Sequence, residues 1–86
     1  MTVAYSKGFL KEYKKLPQSV QEKFHQRLKL FVQDASHPLL RDHSVDLAYP
    51  GWRSINVTGD YRVLYQGVGD TVMMFMKIGT HSELYG

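Results

Sequence analysis

Two neighbouring segments with helical spacing of apolar residues place the strongest constraint on how this chain folds. In the first segment, four apolar residues share one helical face: Phe9, Leu10, Tyr13 and Leu16. In the second, a stripe recurs every three or four residues: Val20, Phe24, Leu28 and Phe31. Ser6 is well suited to cap the first helix, and Pro17 to occupy the first turn of the second. The sequence therefore predicts a hairpin of two amphipathic helices.

The second half of the chain has the patterns of β-strands separated by short turns. Three segments have strand character: residues 52–57, 61–66 and 71–78. In the first of these, Ser54 and Asn56 fall on the face opposite to Ile55 and Val57. The last is apolar and β-branched without alternation, as expected for a central strand that is buried on both faces. Tight connections are predicted at residues 58–60 and 67–70, and a further short strand at residues 2–5.

The order of these elements predicts the fold class. A strand, two helices and a run of three strands are typical of an α+β domain, here a helical hairpin packed on a small, mainly antiparallel twisted sheet. Residues 39–51 have no pattern that favours an element, and residues 81–86 are predicted to form a short tail. With 86 residues the chain has enough length for one hydrophobic core, so we expect a single domain over residues 1–86.

The composition excludes several classes of site and of protein. The chain has no cysteine, which excludes disulfides, a thiolate nucleophile and cysteine-bound zinc. No apolar stretch approaches the roughly 20 residues that span a bilayer, and the first residues lack a signal-peptide pattern, so we expect a cytoplasmic protein without a membrane partner. The four histidines lack the spacing of a zinc site, and we expect neither a metal nor a small-molecule cofactor. The net charge of +3 favours a polyanionic partner such as nucleic acid.

Three segments combine residues that are suited to chemistry: the lysine-rich first helix, residues 59–62 and residues 77–85. Each also has an ordinary structural explanation. The lysines fit a solvated helix face, Asp60 fits a turn, and His81 fits a surface position after a buried strand. Histidine is nevertheless well suited to proton transfer, because its ordinary pKa of about 6.5 lies near neutral pH.

The ordered set of these segments resembles the RelE/ParE superfamily of toxins from bacterial type II toxin–antitoxin pairs. The resemblance covers nearly the whole chain and rests on the helical hairpin and three motifs: Trp-Arg-Ser-Ile-Asn-Val at 52–57, Gly-Asp-Tyr-Arg-Val-Leu-Tyr at 59–65 and Ile-Gly-Thr-His-Ser-Glu-Leu-Tyr at 78–85. The pair Asp42 and His43 and the Gly-Thr-His ending are most similar to the YafQ-like branch. The resemblance implies a RelE-like fold and a ribosome-dependent endoribonuclease that cleaves mRNA. It also implies a cognate antitoxin, which we expect to be an acidic polypeptide that wraps the toxin.

The resemblance also implies roles for individual residues. Three would be catalytic: His43, Asp60 and His81. Six would contact phosphate or RNA: Arg62, Lys77, Tyr85, Asn56, Lys11 and Lys14. Lys77 takes the place of a phosphate-binding arginine, and Tyr85 that of an aromatic residue that supports the substrate base. Asn56 and Tyr61 depart from the branch, which has histidine and tryptophan there, and an asparagine cannot transfer a proton.

Metal-free cleavage of RNA needs a base for the 2′-hydroxyl, an acid for the 5′-oxygen and positive charge near the transition state. The resemblance implies His81 and Asp60 as the principal acid–base pair, with His43 assisting. Two alternatives stay open: a non-enzymatic, ParE-like inhibitor of DNA gyrase, and a degenerate toxin that only binds RNA or its antitoxin. The presence of all three acid–base residues favours the nuclease over the gyrase inhibitor, because the ParE-like relatives generally lack this set.

Overall fold

The computed structural model describes residues 1–86, and its elements follow the predicted order with three additions. The helices are α1 (Lys7–Lys14), α2 (Gln18–Gln33) and α3 (His81–Tyr85), with a 3₁₀ turn at Pro38–Leu40. The strands are β1 (Thr2–Tyr5), β2 (His43–Ser44), β3 (Arg53–Asn56), β4 (Tyr61–Val68) and β5 (Val72–Thr80). The additions are the 3₁₀ turn, β2 and α3. No helix combines the length and the apolar composition needed to cross a membrane.

The five strands form one mixed sheet in the order β1-β5-β4-β3-β2. β1 runs parallel to β5, and every other neighbouring pair is antiparallel. α1 and α2 cover one face, where the ring of Phe75 on β5 lies within 6.0 Å, between centroids, of Phe9, Phe24 and Phe31. Such aromatic contacts add to the free energy gained from burial. The predicted α+β fold, a helical hairpin on a mainly antiparallel sheet, is confirmed.

The helical hairpin begins and turns close to the predicted positions. Ser6 Oγ accepts a hydrogen bond from the Phe9 backbone N at 3.0 Å and caps α1. Pro17 is the N-cap of α2, one residue before its predicted place in the first turn. Leu10 was predicted on the apolar face but is 46% exposed. The reason is that Phe9 occupies the buried position, and consecutive helical residues point about 100° apart.

Strand β5 departs from the predicted central strand buried on both faces. Lys77 pairs with Leu64, whereas Phe75 pairs with the next residue of β4, Tyr65, so that Met76 is an extra residue in β5. Because of this bulge, Phe75 and Ile78 both belong to the core beneath the helices. Met76 and Lys77 are only half-buried. The hairpin connection predicted at 67–70 is also shorter than expected, because β4 continues to Val68.

The opposite face of the sheet is partly covered by α3 and by residues 45–51. The Tyr49 hydroxyl donates to the Leu84 carbonyl of α3, and its ring stacks on Trp52 with centroids 4.9 Å apart. On this face Ser54 and Leu64 are less than 2% exposed. The predicted tail is therefore wrong for residues 81–85, which form a helix that builds a second, smaller layer.

Candidate functional site

A cavity of about 460 Å³ lies on the sheet face opposite to α1 and α2. It is lined by residues of β2 and the loop after it, of β3 and β4, and of α3: His43, Ser44, Val45, Asp46, Leu47, Ala48, Ser54, Arg62, His81 and Tyr85. Four of the nine residues predicted for the site are therefore brought together. They are two predicted catalytic residues and two predicted RNA contacts: His43, His81, Arg62 and Tyr85. We call this the His43 cavity.

The register of the sheet explains why these side chains share a face. His43 lies opposite Ser54, which pairs with Leu64, which pairs with Lys77. Directly opposed residues in antiparallel strands project from the same face, so this row crosses four strands on the cavity side. Lys77 shares that face but lies three strand spacings, about 14 Å, from His43.

His43 is an exposed residue of the edge strand β2, and its ring is held by one hydrogen bond. Nδ1 lies 2.7 Å from the carbonyl oxygen of Arg41. A carbonyl oxygen only accepts, so Nδ1 must carry the hydrogen. In the neutral ring, Nε2 then has a free lone pair, which makes it the atom of His43 that is able to accept a proton.

A clamp on Asp42 fixes the backbone that carries His43. Asp42 Oδ1 accepts from Arg53 Nε at 2.7 Å, and Oδ2 accepts from the hydroxyl of Tyr65. Tyr65 is buried against Phe31, with ring centroids 5.0 Å apart. Burial and the neighbouring Asp42 carboxylate both raise the pKa of Tyr65, so its hydroxyl remains a donor. The clamp thus connects the aromatic core to the residue before His43.

His81 is held at the start of α3 by a capping box. Thr80 Oγ1 accepts from Glu83 N at 3.2 Å, and Glu83 Oε1 accepts from Thr80 N at 2.8 Å. The Thr80 backbone amide lowers the pKa of Glu83, which keeps this carboxylate charged. A side chain at Gly79 would place its Cβ 3.2 Å from Glu83 Oε1, so the glycine makes room for the box. The His81 ring lies 4.7 Å from that of Tyr85, one helical turn later.

Arg62 and Tyr85 complete the wall of the cavity. Arg62 Nη1 donates to the carbonyls of Thr58, Gly59 and Tyr61, which holds the turn before β4 and leaves Nη2 without a partner in the chain. Burial raises the pKa of Tyr85, and the neighbouring Tyr49 adds to this, whereas the Arg62 guanidinium acts in the opposite direction. The phenol of Tyr85 therefore stays neutral as a ring for packing and a hydroxyl for hydrogen bonds.

Five predicted residues do not line the cavity. Asp60 is exposed in the turn before β4, although its carbonyl accepts from the His81 backbone N at 3.2 Å. Asn56 pairs with Arg62 across β3 and β4 and is half-buried, and Lys77 lies farther along the sheet. Lys11 and Lys14 are exposed on α1, in the layer on the other face of the sheet.

Two features of the site were missed by reasoning from the sequence. Ser54 is 1% exposed, and its Oγ has no hydrogen-bond partner although it lines the cavity. Its place in the alternation of β3 was a usable signal, because it fell on the face opposite to Ile55. Asp46 accepts a hydrogen bond from Gly51 N at 2.8 Å, which closes the loop over the cavity and lowers the pKa of the carboxyl group.

No group of three or more His, Asp or Glu side chains is arranged to hold a metal ion.

The capping box gives a testable consequence for stability. Replacement of Thr80 by alanine is expected to lower the free energy of unfolding by about 1 kcal/mol, because Glu83 N loses its acceptor. Urea unfolding measures the change, with Thr80→Ser as the matched control that keeps the hydroxyl. Equal stability of the two variants would show that the box does not hold α3 in place.

Comparison with known proteins gives one family and one fold. A family model described as the ParE toxin of the type II toxin–antitoxin system parDE matches residues 3–85. Comparison with curated protein sequences gives no match. The solved structure of YafQ from E. coli strain BL21(DE3) is 23% identical, with a TM-score of 0.81 over 98% of this chain and 97% of that one.

Two toxin–antitoxin complexes share the fold as well. The E. coli DinJ–YafQ toxin–antitoxin complex matches with 23% identity and a TM-score of 0.79, over 98% of this chain and 96% of that one. The RelB–RelE antitoxin–toxin complex from Methanococcus jannaschii matches with 20% identity and a TM-score of 0.73, over 95% and 94%. At these identities the likeness shows a RelE-like fold, which confirms the predicted architecture.

Proposed function

The chain belongs to the family of ParE toxins of type II toxin–antitoxin systems, and from this premise we propose that it is an endoribonuclease that cleaves mRNA on the ribosome. The main support is the His43 cavity, in which two histidines, an arginine and a tyrosine converge. Histidines supply proton transfer near neutral pH, and the guanidinium supplies positive charge for the phosphodiester transition state.

The geometry supports His43 and His81 as the pair that transfers protons. Both line the cavity, and the hydrogen bond from His43 Nδ1 to Arg41 leaves Nε2 to accept the proton of the RNA 2′-hydroxyl. His81, which lines the same cavity from α3, then protonates the 5′-oxygen of the leaving strand. The predicted role of Asp60 changes in this proposal, because its exposed carboxylate lies outside the cavity walls. Its carbonyl instead helps to position the backbone of His81.

The remaining residues of the site bind the substrate in this proposal. Arg62 has a free Nη2 for the scissile phosphate, and Tyr85 offers a ring on which a base stacks. Asn56 pairs with Arg62 across β3 and β4, and Lys77 lies on the same face of the sheet. In this proposal, Asn56 and Lys77 contact the message on either side of the scissile phosphate. Lys11 and Lys14 are on the far layer, and we assign them to contacts with ribosomal RNA.

A protein antitoxin is the second partner in the proposal. Two of the solved structures that share this fold are complexes with an antitoxin, DinJ in one and RelB in the other. The net charge of +3 and the open His43 cavity suit an acidic polypeptide that wraps the toxin and covers the site. Toxin, antitoxin, ribosome and message would meet in the cytoplasm.

Expression of the chain without an antitoxin tests the function. We expect incorporation of labelled methionine to fall within minutes, while incorporation of labelled thymidine continues and the SOS response stays silent. The matched control is co-expression of the antitoxin, which should restore growth. Because the matching family is that of the ParE toxins, a gyrase inhibitor is the second candidate. Early loss of DNA synthesis with induction of SOS would establish that candidate and contradict the nuclease.

A further inference from the structure

A second cavity, of about 410 Å³, lies next to β2 and is not part of the predicted site. Its polar lining consists of Ser36, His37, Arg41, Asp42 and Arg53. It lies on the other side of the sheet edge from the His43 cavity, because Arg53 lines it whereas the next residue of β3, Ser54, lines the other. We call it the Arg41 cavity.

The Arg41 cavity offers hydrogen-bond donors that have no partner in the chain. Arg41 is exposed, and its guanidinium makes neither a hydrogen bond nor an ion pair. Arg53 uses only Nε, in its bond to Asp42, and keeps both terminal nitrogens. His37 Nδ1 accepts from Leu39 N at 3.1 Å, so in the neutral ring the hydrogen is on Nε2, which becomes a donor.

The charge of the cavity favours an anion. Asp42 is its only acidic residue, and both of its oxygens already accept hydrogen bonds, from Arg53 and from Tyr65. With two arginines against this one carboxylate, the formal charge of the lining is +1. A planar guanidinium binds the paired oxygens of a phosphate in a bidentate manner.

The backbone of Arg41 gives a second, independent observation. With φ of 48° it is the only residue other than glycine that has a positive φ. That conformation is unfavourable for a side chain with a Cβ, and residues held in it cluster at functional sites. Here it directs the Arg41 carbonyl to His43 Nδ1 while the side chain of Arg41 lines the second cavity.

We propose that the Arg41 cavity binds a backbone phosphate of RNA, an inference that rests on the nuclease function proposed above. β2 is only two residues long and ends the sheet, so an RNA strand that leaves the His43 cavity passes around this edge to reach the Arg41 cavity. The hydrogen bond between the Arg41 carbonyl and His43 Nδ1 places the Arg41 cavity next to His43. This favours RNA over a protein carboxylate as the ligand, because substrate RNA must lie beside His43 during cleavage.

Binding of a labelled single-stranded RNA, methylated at every 2′-oxygen so that it is not cleaved, tests the proposal by fluorescence anisotropy. We expect Arg41→Asn to weaken binding about tenfold. The plot of the logarithm of the association constant against the logarithm of the salt concentration has a negative slope. The magnitude of this slope should decrease by about 0.7, the value for one phosphate contact in a single strand. Asparagine is chosen because it tolerates a positive φ. Arg41→Lys should restore the slope, and Lys29→Asn, which removes an exposed charge on α2, should change the slope little.

Ribosomes that carry no message form the second arm, with binding measured by co-sedimentation. Weaker binding of Arg41→Asn to the free RNA identifies a message phosphate, and weaker binding to empty ribosomes identifies a ribosomal one; either supports the proposal. Equal behaviour of Arg41→Asn and Lys29→Asn in both arms would overturn it. So would a variant Arg41→Asn that loses affinity for the antitoxin but keeps its affinity for RNA and for ribosomes. Failure of the wild-type protein to cut ribosome-bound mRNA contradicts the nuclease function instead, since neither arm depends on cleavage.

Discussion

Replacement of His81 by alanine is expected to slow mRNA cleavage by about 10²- to 10⁴-fold, the usual contribution of one proton-transfer group. His81 is exposed at the start of α3, and the capping box that holds this helix uses Thr80 and Glu83 rather than the imidazole. The fold should therefore persist, with a change in the free energy of unfolding of about 0.5 kcal/mol or less. Single-turnover cleavage on ribosomes programmed with one message gives the rate, and urea unfolding gives the stability.

A histidine outside the cavity provides the matched control for this substitution. His25 is exposed on α2, where its Nε2 lies 2.6 Å from the Tyr13 hydroxyl. His25→Ala should leave the cleavage rate unchanged. Asp60→Ala should have a smaller effect than His81→Ala, because it keeps the carbonyl that accepts from His81 N. Full cleavage activity in His81→Ala would show that His81 does not transfer a proton. A larger loss of cleavage rate in Asp60→Ala than in His81→Ala would show that the Asp60 carboxylate belongs to the acid–base pair.

Local patterns were sufficient to predict the helical hairpin and the four strands β1, β3, β4 and β5. The stripe of Val20, Phe24 and Phe31 is buried as predicted, because a single helix face determines it. The bulge at Met76 was not predictable, since it depends on how β5 pairs with β4. Helix α3 was missed although its signal was present: Thr80 followed by Glu83 three residues later is a capping box.

The site was predictable where a motif supplied it and unpredictable where distant residues meet. The family resemblance placed His43 and His81 in one site, and the structure brings both to one cavity. The clamp on Asp42 depends on Tyr65, 23 residues away, and therefore on the register of three strands. Neither composition nor periodicity specifies that register, so the element that positions His43 emerged only in the folded chain.

Removal of one 2′-hydroxyl from the message is expected to stop cleavage without stopping binding. In the proposed mechanism the nucleophile is the 2′-oxygen next to the scissile phosphate, from which His43 Nε2 takes the proton. A 2′-deoxy or 2′-methoxy nucleotide at that position has no such nucleophile. Binding should persist because it rests mainly on phosphate contacts, for which we propose Lys11, Lys14, Arg62 and Lys77. Cleavage and binding are measured on the same programmed ribosomes, with a deoxynucleotide one position downstream as the matched control.

The ends of the products test the same mechanism from the other side. In-line attack by the 2′-oxygen forms a bond to phosphorus and breaks the bond to the 5′-oxygen, which takes a proton from His81. One fragment then ends in a 2′,3′-cyclic phosphate, or in the 3′-phosphate formed when it opens, and the other begins with a 5′-hydroxyl. EDTA should not slow this step in an assay that contains enough free magnesium to keep the ribosomes intact. Products with a 5′-phosphate, or normal cleavage of the deoxy message, would identify water as the nucleophile and contradict the roles assigned to both histidines.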